Sequence, residues 1–166
     1  FGWEPIVLTV KHGEFPSIDE SLILESESIR VYYAKAISPY NLYKLFSKSK
    51  RIQTYQLSPK ENEPIFNKFA RWIRYNMVIP DGRIGWYPNA VRLGLSIIKN
   101  EKIDLIFSSG PPHTSHLIGR KLTKYTGMKW TADFRDPWTD RFYYSESPRN
   151  RLTQWFDRVL EKKVLD

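Results

Sequence analysis

Two kinds of hydrophobic pattern alternate along the 166 residues. Pro5-Ile-Val-Leu-Thr-Val10 is short, apolar and rich in β-branched residues, which predicts a buried strand after Gly2. Lys11-His12-Gly13 then turns the chain. Ile29-Arg-Val-Tyr-Tyr33 alternates and predicts a second strand. Lys102-Ile-Asp-Leu-Ile-Phe107 and Lys129-Trp-Thr-Ala-Asp-Phe134 predict two more. Pro137 stops the last of them, because proline cannot continue a central strand.

Helical spacing fills the intervals. Ser38-Pro39 opens a short helix over Tyr40 to Phe46, and the polar stretch 47–62 reads as a mobile surface loop. From Pro64 to Met77, the apolar residues Ile65, Phe66, Phe69, Trp72, Ile73 and Met77 recur on one face, with Lys68, Arg71 and Arg74 on others. Pro80-Asp81-Gly82 breaks that helix. Further helices are predicted over Pro88–Asn100, over His113–Tyr125 with Gly127 closing it, and over Arg149–Leu165. Apolar strands alternating with helices predict an α/β fold: three layers, with a mainly parallel sheet covered on both faces. The length suits one domain, 1–166, large enough to bury a core without metal or disulfide support.

Charge adds a direction to this picture. Residues 1–34 carry two basic and six acidic groups, whereas residues 35–76 carry nine basic and two acidic. The whole chain is +8. A basic middle segment is either a solvated face or a surface for an anionic partner: phosphate, nucleic acid or acidic lipid. The amphipathic helix at 64–77 has the same two readings, core cover or membrane contact, with Lys44, Lys48, Lys50 and Arg51 nearby in sequence. Aromatic residues between these cations also resemble a nucleic-acid surface, but no nucleic-acid-binding motif accompanies them, so no nucleic acid is expected. The absence of cysteine rules out disulfides and thiolate chemistry within these residues and fits a cytoplasmic setting. No apolar run reaches the ~20 residues that span a bilayer.

Ligands of open α/β sheets bind beyond the carboxyl ends of the strands. Two segments meet that rule. In Ser108-Ser109-Gly110-Pro111-Pro112-His113, small residues let the backbone approach a ligand, and the following helix start suits a phosphate or carboxylate. His113 is either functional there or a helix cap, and His116 either shares its face or packs internally. The pair also has zinc-like spacing, but no third ligand is evident, so no metal is expected. In Asp133-Phe134-Arg135-Asp136-Pro137-Trp138, two carboxylates could bind sugar hydroxyls or supply a base. Arg135 would hold a phosphate or pair with Asp133 or Asp136, making the cluster a structural ion-pair network instead. Trp138 fits core packing or a platform for a sugar ring.

Gly2-Trp3-Glu4-Pro5-Ile-Val-Leu-Thr-Val10, Ile79-Pro-Asp81 with Gly85-Trp86, Ser108-Ser-Gly-Pro-Pro-His113 and Ala132-Asp-Phe-Arg-Asp-Pro-Trp-Thr139 together resemble the N-terminal domain of bacterial family 4-like glycosyltransferases. The resemblance spans nearly the whole chain, and the Asp-Phe-Arg-Asp-Pro-Trp stretch is its most specific part. It implies a Rossmann-like domain forming the N-terminal, acceptor-side half of a GT-B enzyme. Transfer would run from a nucleotide-sugar donor to a glycan or lipid-linked acceptor, usually with retention and without metal or cofactor. Asp136, His113 and Asp133 would act at the reacting groups, and Arg135, Trp138, Ser109, Gly110 and His116 would bind substrate. Basic residues 44–74 would touch the inner membrane face. The resemblance also implies an opening strand–loop–helix unit before Gly2 and a donor domain after Asp166, so the 166 residues alone are expected to be inactive. The alternative is a non-enzymatic Rossmann-like binding module with a basic surface for anionic ligands.

Overall fold

The computed structural model describes residues 2–11, 25–37, 75–140 and 149–166, together with positions 21, 72 and 73. The turn at 12–13, the helix expected at 40–46, the loop at 47–62 and most of the basic segment lie outside the described residues. So does most of the helix at 64–77, although residues 72, 73 and 75–77 are helical.

β1 (Ile6–Lys11) pairs in parallel with β2 (Arg30–Lys35), with Val7 opposite Val31 and Thr9 opposite Tyr33. A 3-10 turn, Ile84–Trp86, leads into α1 (Tyr87–Asn100). β3 (Ile106–Gly110) pairs in parallel with β4 (Trp130–Phe134), and α2 (Thr114–Thr126) makes the crossover between them. α2 ends where Gly127 takes the left-handed conformation, φ 69°, and returns its N–H to the Thr123 carbonyl. α3 (Arg151–Leu165) is capped by the Asn150 side chain, which accepts the Thr153 N–H.

The third strand lies later than its apolar run suggests. Lys102–Leu105 only approaches the sheet. The ladder is set by β4, which aligns Ile106–Gly110 with Trp130–Phe134. Ser108, Ser109 and Gly110 are therefore strand residues rather than loop. Small side chains suit this place, because Ser108 and Gly110 are buried where α2 rides over the strand.

One sheet face carries the core. Ala34, Trp86, Ala90, Val91, Ile106, Ile118 and Leu122 are buried together, with Leu8, Val10 and Trp130 packed against them. α1 touches β1, β2 and α2, so it bridges the two strand pairs. Arg30 on β2 bonds Glu4 and Glu101, and Tyr32 also donates to Glu101, tying β2 to the end of α1.

Among the described residues, two-sided cover is not found. Alternation places Val7, Tyr33 and Phe107 on the opposite face, and all three are exposed, Phe107 by 62%. Among the described residues the strands also form two separate parallel pairs, β1–β2 and β3–β4. A cavity of about 310 Å³ runs along four consecutive β1 residues, Val7 to Val10, and is also lined by Arg83, Trp86, Pro112 and Ser115. No described helix is long and apolar enough to cross a membrane.

Candidate site at the carboxyl ends of two parallel strands

Register brings the first polar pair together. Ser109 lies opposite Asp133, and its hydroxyl donates to Asp133 Oδ2 at 2.8 Å. Both side chains stand on the sheet face away from α2. The chain then leaves β4 under restraint: Arg135 N donates to the Gly110 carbonyl at 3.0 Å, and its guanidinium donates to the Pro111 carbonyl, also at 3.0 Å. Of the two readings of Asp133, Arg135 and Asp136, the ion-pair network does not form. Arg135 is turned to the Pro111 carbonyl and is exposed, as is Asp136.

The start of α2 does not offer its N–H groups to an outside anion. Asp81 takes the Thr114 N–H at 2.9 Å and the Thr114 hydroxyl at 2.8 Å. Ser115 N and His116 N bond the carbonyls of Pro112 and His113. The carboxylate that a helix start favours is thus the protein's own. His113 occupies the cap position but makes no side-chain capping bond. Its ring is buried and stacks on Trp138, centroids 4.7 Å apart and planes 7° from parallel.

Trp138 is 2% exposed, so it packs inside rather than offering an open platform to a sugar. Its indole N–H donates to Asp157 Oδ1 at 2.8 Å, and Asp157 also pairs with Arg149. One turn further along α3, Glu161 accepts the Thr139 N–H and hydroxyl. α3 therefore clamps the segment after β4 at two successive residues.

His116 is fully buried. Its Nδ1 lies 2.9 Å from Ser108 Oγ, which itself accepts the Trp130 indole N–H at 2.9 Å. Ser108 Oγ can donate to Nδ1 or accept from it according to the ring tautomer, and the buried Nε2 has no hydrogen-bond partner among the described residues. The ring lies on Phe134, centroids 4.3 Å apart. Burial pushes the His116 pKa below its ordinary value of 6.5, against the opposing pull of Asp133 and Asp81. The unfolded chain then binds a proton at a higher pH than the folded one. This contribution to stability is full above about pH 6.5 and is lost as the pH falls from there toward the folded value. Thermal unfolding across that range is expected to show a decline that His116→Gln flattens; an identical slope in the variant would remove His116 as its source.

The predicted residues thus divide. Ser109, Asp133, Arg135 and Asp136 form an outer polar row, while Gly110, His113, His116 and Trp138 form its buried support. Sequence reasoning missed Asp81, Ser108 and Asp157 as parts of this support. Asp81 was legible as a helix breaker and as part of the family resemblance, and Asp157 has the pattern of any helical surface acid. Among the described residues, no three His, Asp or Glu side chains converge in a cluster that could hold a metal ion.

Comparison with protein-family models, curated proteins and solved structures finds no match to this chain.

Proposed function

We propose that this chain is the acceptor-side domain of a glycosyltransferase that moves a sugar from a nucleotide diphosphate to a glycan or lipid-linked acceptor. The observation that carries the reading is the outer row: two carboxylates, a guanidinium and a hydroxyl at the carboxyl ends of adjacent parallel strands. Sugar hydroxyls are donors that such carboxylates accept from, and the guanidinium suits a phosphate oxygen. Asp136, exposed, orients the attacking hydroxyl, and Asp133, fixed by Ser109, holds a neighbouring one. In retaining transfer the departing phosphate oxygen can itself take the acceptor proton, so no side chain has to serve as base. His113 acts from behind, positioning Trp138 and the start of α2.

The fold supports the same reading at a finer level. β1 and β3 each have an inner edge unpaired by any described residue, with a cavity along the β1 edge. One parallel strand between them would join the pairs into a single Rossmann-like sheet, setting β1 and β3 about 9.6 Å apart. A right-handed crossover from that strand to β1 would run on the face opposite α2, where Val7, Tyr33 and Phe107 are exposed. The donor nucleotide would occupy a second domain across the cleft.

In an enzyme containing both domains, Asp136→Asn is expected to lower kcat/KM about tenfold, the worth of one hydrogen bond to a charged group. Steady-state kinetics with varied acceptor checks this, and unchanged kcat and KM would remove Asp136 from the site. Sugar transfer by the 166 residues alone would overturn the two-domain reading.

A further inference from the structure

We infer that the outer face of α3 is a docking surface for an anionic membrane. The helix departs from the usual arrangement, in which apolar residues face the body of a protein: of its buried residues Thr153, Asp157 and Val164, only the last is apolar. Its inward residues include Thr153 and Asp157, which bond the Asn76 side chain, Trp138 and Arg149. Its outward residues are apolar: Leu152, Trp155 and Phe156 are 71%, 57% and 50% exposed. With half-buried Val159 they follow the i, i+3, i+4, i+7 spacing of one continuous stripe. Trp155 and Phe156 meet edge to face at 5.6 Å, forming a single aromatic wedge.

Charge selects the occupant. Both acids within α3, Asp157 and Glu161, are turned inward and bonded to the segment after β4. The cations are left outside: Arg151, Arg158 and Lys162 run along one flank at i, i+7 and i+11, and Lys163 closes the stripe. A convex apolar stripe with Trp, Phe and Leu, flanked by cations and free of outward acids, matches a helix lying in the headgroup layer of acidic lipid. A stable protein interface would need about 800 Å² from each partner, more than one helix face supplies.

The test needs no turnover, so it stands or falls apart from the glycosyltransferase reading. The purified protein is sedimented with phosphatidylcholine vesicles, with and without phosphatidylglycerol. Binding is expected only with the acidic lipid and should weaken as salt rises. Trp155→Ser with Phe156→Ser should reduce partitioning about tenfold or more, by removing two buried side chains. Arg158→Glu with Lys162→Glu should reduce it about 25-fold, since each cation near such a surface contributes about fivefold. All four side chains are exposed, and circular dichroism checks that the variants keep their fold. Failure to bind acidic vesicles overturns the proposal. So does binding that neither variant weakens, which would place the membrane surface elsewhere, or self-association lost with Trp155→Ser, which would make the stripe a contact between copies.

Discussion

Asp157→Ala is expected to destabilise the protein by about 3–5 kcal/mol, the range for breaking a buried ion pair from one side. Asp157 is 1% exposed, and its two oxygens serve different partners. Oδ1 accepts the Trp138 indole N–H, and Oδ2 pairs with the Arg149 guanidinium, which also donates to the Pro80 carbonyl. Alanine would leave a largely buried cation without this carboxylate and an indole donor without its acceptor. The effect should reach the site, since Trp138 stacks on His113. Asp157→Asn retains an oxygen for Trp138 but not the charge for Arg149, so it should fall between wild type and alanine. Pairing Asp157→Ala with Arg149→Met should recover part of the loss. Urea unfolding measures each step, and a loss below about 1 kcal/mol for alanine would mean that the pair is solvated in solution.

Residues 6–10, 30–33 and 130–134 announced their strands because apolar β-branched and aromatic side chains dominate them, and α1 and α2 announced themselves by period. β3 was displaced in the reading because an apolar run records burial, while a strand is defined by its partner. Only the β4 register says that Ser108 to Gly110 complete the ladder. The separation into two pairs was likewise hidden, since strand order depends on edges that no local pattern encodes. α3 shows the limit of periodicity most plainly. Its stripe is legible, but polar bonds to Asn76, Trp138 and Thr139 hold other residues of the helix inward and leave Leu152, Trp155 and Phe156 exposed.

The site was legible as a location and not as a division of labour. The carboxyl ends of β3 and β4 could be named from the strand-end rule alone. Which residues stay open could not, because that depends on contacts distant in sequence. Asp81 fills the α2 start from 33 positions upstream of Thr114. Asp157 draws Trp138 inward from 19 positions downstream. Arg135, placed between two acids in sequence, bonds a carbonyl across the strand pair instead. Adjacency offered an ion-pair network as one of two readings, whereas Arg135 turns to the Pro111 carbonyl and Asp133 takes the Ser109 hydroxyl.

Gly110→Ala is expected to cost about 3 kcal/mol, at the upper end for overpacking. A Cβ at Gly110 would lie 2.4 Å from His116 Nε2 and 3.0 Å from its Cδ2, closer than real side chains approach. The ring cannot easily retreat. Ser108 holds Nδ1, Phe134 lies 4.3 Å from its centroid, and no part of it reaches solvent. The backbone is equally held, because Gly110 pairs with Phe134 and its carbonyl accepts the Arg135 N–H. Strain relieved by moving β3 would therefore shift Arg135 and the outer row as stability falls. His116→Ala removes the obstacle while creating a void of its own. The double variant should thus be more stable than the sum of the two single losses predicts, by about 1–2 kcal/mol. Additivity within about 0.5 kcal/mol would show that Gly110 and His116 do not touch as described.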